Sequence, residues 1–119
     1  MEAIMIKVAI TREVLMAMCL KHWRMQAGLS QVALAKASGV ANSSYSRYES
    51  GDVPVTALAL NRILKGMRKN QSDFWLAVES AEKMATAAGI LVVDDVGEVD
   101  GRVVFLTADR QEFLRACVA

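Results

Sequence analysis

The alternation of apolar and polar residues divides the chain into one extended segment, a long helical region and a second extended region. Ile4, Ile6, Val8 and Ile10 alternate with other residues, a period of two that predicts a first strand over residues 1–10. Capping residues and glycines then delimit five predicted helices. They run from the Thr11 cap to about Ala27, from Gln31 (capped by Ser30) to about Ala37, from Ala41 or Asn42 to Gly51, from Pro54 through Leu64, and from Asp73 (capped by Ser72) to about Ala88.

The pattern changes after Gly89. The runs "ILVV" and "VVFL" are rich in β-branched and aromatic residues, and an Asp100-Gly101 turn signal lies between them. This combination predicts a β-hairpin, which the first strand could join within one chain or between two chains. Residues 107–117 predict a short terminal helix. The expected fold class is therefore mostly α, a five-helix bundle with a small C-terminal hairpin and a terminal helix.

Charge is distributed unevenly along the chain. Its 119 residues, 54% of them hydrophobic, suffice for the core of one domain or of a small domain with an appendage. Residues 21–70 carry eight basic and two acidic side chains, whereas residues 71–119 carry four basic and nine acidic ones. This asymmetry predicts a polyanion-binding unit over residues 11–70 and a second unit with another role over residues 71–119, against which residues 1–10 could pack.

Residue types that carry catalysis or bind metals are scarce. Cys19 and Cys117 belong to no CxxC pair, and His22, the single histidine, has no acid or nucleophile at catalytic spacing. We therefore expect two reduced, packed thiols, no enzymatic activity and no cofactor. The acidic group near the predicted hairpin lacks the spacing of a calcium loop, so we expect turn residues rather than a metal site. It comprises Asp94, Asp95, Glu98 and Asp100.

The apolar run "VLMAMCL" is too short for a membrane span and continues as an amphipathic helix. It also lacks the cleavage site of a secretory signal. We therefore expect a cytoplasmic protein that does not enter the membrane.

The stretch "QVALAKASGVANSSYSRYES" has the spacing of two helices joined by a tight turn. Gln31, Ala35, Gly39, Tyr45 and Tyr48 occupy positions 1, 5, 9, 15 and 18 of a twenty-residue frame. The frame places a small residue where two helices cross, glycine in the turn and bulky residues beneath the second helix, as in a helix-turn-helix. The two tyrosines are therefore expected in the core rather than as base-stacking platforms.

The segment "WRMQAGLSQVALAKASGVANSSYSRYESG", followed by "PVTALALNRILKGM", resembles the Cro/CI (Xre-like) family of DNA-binding domains over roughly residues 20–68. The resemblance implies that the third helix enters the major groove of double-stranded DNA. Implied base contacts are Asn42, Ser43, Ser46 and Arg47, and implied phosphate contacts are Gln31, Lys36, Ser44 and Lys69. An alternative interpretation of Asn42 and the serines is an ordinary solvated helix start with capping side chains.

Two charged residues at family positions have an implied structural role. The resemblance implies that Arg24 and Glu49 form a mostly buried bidentate ion pair that fixes helix orientation. Asp52 departs from the family pattern, because that loop often carries a basic or neutral residue facing phosphate.

The second half of the chain is open to two interpretations. In the first it forms a homodimer through an alanine stripe and the hairpin, and the protein is a repressor of a phage or mobile-element operon that binds an inverted-repeat operator. The expected dimer contacts are Ala77, Ala81, Ala85, Val104 and Phe105. In the second it is antitoxin-like: residues 71–119 bind and neutralise a protein partner, and the protein represses its own operon. The sequence leaves both interpretations open.

Overall fold

A computed structural model describes residues 6–107 of the chain. It contains five α-helices and a small three-stranded sheet, which confirms the expected fold class. The elements are β1 (Lys7–Thr11), α1 (Arg12–Gln26), α2 (Gln31–Ser38), α3 (Asn42–Ser50), α4 (Ala57–Gly66), α5 (Gln71–Ala87), β2 (Ile90–Val93), a 3-10 turn (Val96–Glu98) and β3 (Val103–Phe105). The predicted terminal helix, like Cys117, lies outside the described residues, apart from Thr107.

The predicted starts of the first three helices agree with the structure. The Thr11 hydroxyl accepts a hydrogen bond from the Val14 N–H, and the Ser30 hydroxyl accepts one from the Ala33 N–H. Each hydroxyl satisfies an N–H group that has no partner within the first helical turn. These local hydrogen bonds explain why the sequence alone located the helix starts.

The predicted starts of the last two helices were wrong. Helix α4 begins at Ala57 because Thr56 caps it, so Pro54 lies in the preceding loop rather than in the first turn. Helix α5 is capped by Asn70, whose side-chain oxygen accepts a hydrogen bond from the Asp73 N–H at 2.8 Å, and not by Ser72. Thr56 lies two residues after Pro54 and Asn70 two residues before Ser72, and a local pattern does not choose between such neighbouring start signals.

The predicted hairpin was also wrong. The sheet order is β2-β1-β3 and both outer strands run parallel to β1, so β2 and β3 do not pair with each other. Val8 of β1 lies opposite Ile90 on one side and Val104 on the other. The connection between the outer strands contains the 3-10 turn and crosses from one edge of the sheet to the other, as parallel strands require. The first strand therefore joins the sheet within one chain, as its centre.

A single hydrophobic core connects the two differently charged parts of the chain. Leu15 of α1, Tyr45 of α3, Ile63 of α4 and Phe74 of α5 are all fully buried in it. The Trp23 and Phe74 rings meet edge to face with centroids 5.3 Å apart, so α5 covers one side of α1. The helices of the first half, which are expected to bind DNA, therefore share one core with the second half.

The alanines of α5 face this core. Ala81 and Ala85 are fully buried within the chain, and Ala77 is half-buried. Ala81 and Ala85 already pack in the core of their own chain. They are therefore not available for contact with a second copy, contrary to the expected role of the alanine stripe in a dimer. Val104 is 46% exposed and Phe105 is half-buried, so only these expected contacts and Ala77 reach the surface.

Gly66 allows α4 to approach α2 closely, and this contact yields a prediction. A Cβ atom at Gly66 would lie 2.6 Å from the Ser38 hydroxyl oxygen and 3.2 Å from Cδ1 of Leu34. The Ser38 hydroxyl is buried and donates to the Leu34 carbonyl oxygen, so it cannot retreat without losing that bond. We expect Gly66→Ala to lower the free energy of unfolding by about 1–3 kcal/mol in urea titrations, although alanine favours helix.

The matched control for this prediction is the same substitution in a Ser38→Ala background. The hydroxyl that would clash is absent there, so Gly66→Ala should cost less. Equal costs in the two backgrounds would contradict the proposed origin of the effect.

Candidate nucleic-acid interface

Helices α2 and α3 are joined by a three-residue turn. Gly39 has φ 68° and ψ 27°, a left-handed conformation that favours glycine, and the Val40 N–H donates to the Ala35 carbonyl oxygen at 3.1 Å. Leu34 and Ala35 of α2 and Tyr45 of α3 are buried where the helices meet. The glycine, the small residue and the first tyrosine of the predicted frame therefore lie where a helix-turn-helix requires them, and Tyr45 is a core residue.

An ion pair between Arg24 and Glu49 fixes α3 against α1. The Arg24 Nε and Nη2 atoms donate to the two carboxylate oxygens of Glu49 at 2.8 and 2.7 Å. A third donor, Nη1, reaches the carbonyl oxygen of Leu29 at 2.7 Å in the loop before α2. One guanidinium therefore connects α1, this loop and the end of α3, which fixes the orientation of the helix expected to enter DNA.

The protonation states at this pair follow from burial and hydrogen bonding. Burial acts to raise the pKa of Glu49, but hydrogen bonds, led by that from Arg24, outweigh it, and the pKa is lowered. The hydrogen bond to Glu49 raises the pKa of Arg24 above its ordinary value. Burial raises the pKa of the neighbouring Tyr45 hydroxyl. At neutral pH the site therefore holds one ionised pair beside a neutral phenol.

Gln31 belongs to the same network. Its side-chain nitrogen donates to Oε1 of Glu49 at 3.2 Å, and its side chain is half-buried. One N–H of the amide is thus used within the protein, while the other remains for the phosphate contact that the family resemblance implies. That contact stays a prediction.

The outward side of α3 presents polar side chains to solvent. Asn42, Ser43, Ser46 and Arg47 are exposed and Ser44 is half-buried, and within residues 6–107 the side chains of these five make no hydrogen bond or ion pair. Ala41 precedes the helix and supplies no capping side chain. Asn42 and the serines are therefore not engaged in capping, and their donors and acceptors face water.

Most basic side chains of α2 to α4 also lack an acidic partner. Among the described residues, the lysines and arginines that form ion pairs are Arg12, Arg24 and Lys83. Lys36 is exposed near the end of α2, and the Lys69 ammonium lies 5.8 Å from the centroid of the Trp23 ring. The positive charge of this half is consequently available to an external polyanion.

Three of the four acidic residues near the sheet have structural partners instead. Asp95 and Glu98 form a reciprocal capping box around the 3-10 turn, and Asp94 pairs with Arg12. No group of three or more potential metal-ligating side chains occurs in the part of the chain that the structure describes. The capping box has a local signal, an acidic residue followed three positions later by glutamate, which the sequence interpretation did not use.

Comparison with known proteins gives a match over the helical region. Residues 15–68 match a family described as a helix-turn-helix domain, and this range runs from α1 to just beyond α4. No curated protein and no solved structure matches the chain. Residues 15–68 are therefore similar to helix-turn-helix domains, in agreement with the geometry of α2, the turn and α3. Separately, none of the helices within residues 6–107 has the length and apolarity needed to cross a bilayer.

Proposed function

We propose that the protein is a cytoplasmic, sequence-specific regulator of transcription of the Cro/CI (Xre-like) kind, with α3 as its recognition helix and with no catalytic activity or cofactor. One observation carries this proposal: the polar side chains on the outward side of α3 make no hydrogen bond or ion pair within residues 6–107, while its other side is fixed by the buried Arg24–Glu49 pair. A rigid helix with free donors and acceptors suits recognition of base edges in the major groove.

The side chains of α3 have the chemistry for direct readout. Arg47 can donate two hydrogen bonds to O6 and N7 of guanine, and Asn42 can pair with N6 and N7 of adenine. The hydroxyls of Ser43 and Ser46 can donate to or accept from either kind of base edge. Phosphate contacts by Gln31, Lys36, Ser44 and Lys69 would position the helix without reading sequence.

Arg47→Ala tests the placement of the recognition helix. We expect it to weaken binding to a selected DNA site by about 1–3 kcal/mol and to relax base preference at one position per half-site. The site would come from selection of bound fragments out of a random DNA pool, followed by competition binding at fixed salt. Lys36→Ala, the matched control, should weaken binding to all sequences alike. Unchanged affinity and preference in Arg47→Ala would contradict this role of α3.

Two-fold assembly would account for specificity that a nine-residue helix alone does not supply. We propose a homodimeric repressor of a phage or mobile-element operon, with its contact in the second half of the chain. Support comes from apolar side chains that α5 and the outer strands leave at the surface: Trp75 and Leu76 are 45% and 62% exposed, and Leu91 and Val104 are 42% and 46% exposed.

Solution mass and the shape of the operator test the dimer. A homodimer should bind an inverted repeat whose half-site centres lie about 10 base pairs, or roughly 34 Å, apart, or a multiple of that spacing. Light scattering on the protein alone and a footprint on the selected site would measure both. A monomer that protects a single half-site would contradict the dimer and favour the antitoxin-like alternative, in which the same apolar surface binds another protein.

A further inference from the structure

Helix α4 ends on a residue whose backbone conformation favours glycine. Arg68 has φ 58°, and within residues 6–107 it is the one non-glycine residue with positive φ. The Lys69 N–H donates to the Leu64 carbonyl oxygen at 2.8 Å and the Arg68 N–H to that of Lys65 at 3.0 Å, which closes the helix in a Schellman-type arrangement. A left-handed backbone is unfavourable for a residue that has a Cβ atom.

The other four helices, α1, α2, α3 and α5, are each followed by a glycine with positive φ. Gly39 and Gly51, which follow α2 and α3, have φ values of 68° and 80°. At the end of α4 the equivalent conformation falls on arginine, and Gly66 lies inside the helix two residues earlier. The arginine at this position therefore lowers stability relative to glycine.

No contact within the described residues compensates for this cost. The Arg68 side chain is exposed and makes no hydrogen bond or ion pair there. Lys65 and Lys69 are exposed nearby and also lack acidic partners in that part of the chain. We refer to Lys65, Arg68 and Lys69 as the α4 basic cluster. Its three positive charges are uncompensated and lie within five residues.

The α4 basic cluster lies close to the helix-turn-helix. The contact between Gly66 and Ser38 places the end of α4 against the last turn of α2, directly before the turn that leads to α3. Lys36, exposed in the same turn of α2, adds a further positive charge to this end of the domain. Positive charge is therefore concentrated at the end of the domain that contains the α2–α3 turn.

We propose that Arg68, together with Lys65 and Lys69, binds phosphate groups of the DNA backbone outside the bases contacted by α3. This inference rests on the proposed DNA-binding function and adds contacts that extend the bound site. A guanidinium donates two parallel hydrogen bonds to a phosphate, which lysine does not, and glycine would supply neither charge nor donors. The unfavourable backbone is retained because the bound phosphate uses the side chain.

Arg68→Gly tests the inference because stability and binding should change in opposite directions. The melting temperature of the full chain should rise by about 2–4 °C as the left-handed strain is relieved. Affinity for the selected DNA site and for unrelated DNA should fall together, roughly 3- to 10-fold at fixed salt, and the slope of log K against log salt should decrease in magnitude by about one. Arg68→Lys should keep both the salt slope and the original melting temperature.

The matched control is Lys83→Ala, which removes one exposed positive charge from α5. It should leave the salt slope of DNA binding close to that of the wild type. An Arg68→Gly protein with a raised melting temperature and an unchanged slope would overturn the inference, and so would a lowered melting temperature. If Arg47→Ala still alters base preference in that case, the proposed function stands without the α4 basic cluster. If the wild-type chain selects no DNA, the proposed function itself fails.

Discussion

Glu49→Ala should lower the free energy of unfolding by about 3–5 kcal/mol, because it leaves the largely buried Arg24 guanidinium without its carboxylate. Glu49 is 2% exposed and the Arg24 side chain 13% exposed, so water cannot replace the lost partner without opening the packing. Urea titration followed by circular dichroism would measure the change. The exposed pair of Lys83 and Glu79 is the control, and Glu79→Ala should cost at most about 0.5 kcal/mol.

A double-mutant cycle separates the pair from the individual side chains. Arg24→Met combined with Glu49→Leu removes both charges, so it should destabilise the protein by less than the sum of the two single substitutions. Strictly additive losses would contradict the contact. The Glu49 substitution also removes the acceptor of the Gln31 amide, so the loss of that hydrogen bond is part of its cost.

Acid should weaken this pair in a defined direction. The pKa of Glu49 is lower in the folded protein than its ordinary value, so the folded state binds the proton less tightly than the unfolded chain does. The stabilisation is therefore complete above the ordinary carboxyl pKa of about 4.3. It is lost as pH falls through the lower pKa that Glu49 has in the folded protein. Glu49→Gln should remove this component, so the stability difference between this variant and the wild type should shrink as pH falls below the ordinary carboxyl pKa and be smallest below the folded pKa of Glu49.

The elements of the helix-turn-helix could be predicted because their signals are local. Thr11 and Ser30 start helices through hydrogen bonds to residues three positions later, and Gly39 ends one through its own backbone conformation. The partner of Arg24 has no such signal, because Glu49 lies 25 residues away and the spacing alone does not bring them together. The family resemblance supplied that pairing.

The parts that could not be predicted depend on competition between distant segments. The Asp100-Gly101 turn signal favours pairing of β2 with β3, but β1, from the other end of the chain, provides two free edges and lies between them. The spacing of Ala81 and Ala85 suits helix contact within one chain or between two chains. In the structure both residues pack in the core of their own chain.

The role of the glycine at the end of α4 could not be predicted from the sequence for a similar reason. A glycine near the end of a helical pattern is ordinarily a stop signal, but Gly66 lies within α4, where it makes room for Ser38, and Arg68 takes the left-handed position. Only the packing of α2 against α4 distinguishes these two roles, and a local pattern does not report it.

Phe74→Ala should lower the free energy of unfolding by about 3–5 kcal/mol, since it opens a cavity where α5 meets α1. Phe74 is fully buried, meets the Trp23 ring at an interplanar angle of 86°, and belongs to the same core as Tyr45 of α3. The substitution should therefore reduce the stability of α3 although Phe74 lies in the acidic half of the chain. Urea titration would give the magnitude.

Hydrogen exchange would show whether this effect reaches α2 and α3. In Phe74→Ala the backbone amides of α2 and α3 should lose protection together with those of α5, because one continuous core unfolds as a unit. Met84→Ala is the matched control: the side chain lies on the same helix but is 41% exposed, so its loss should cost about 1 kcal/mol or less. If α2 and α3 keep their protection in Phe74→Ala while α5 loses it, the helix-turn-helix is stable without the second half, and the shared core does not couple them.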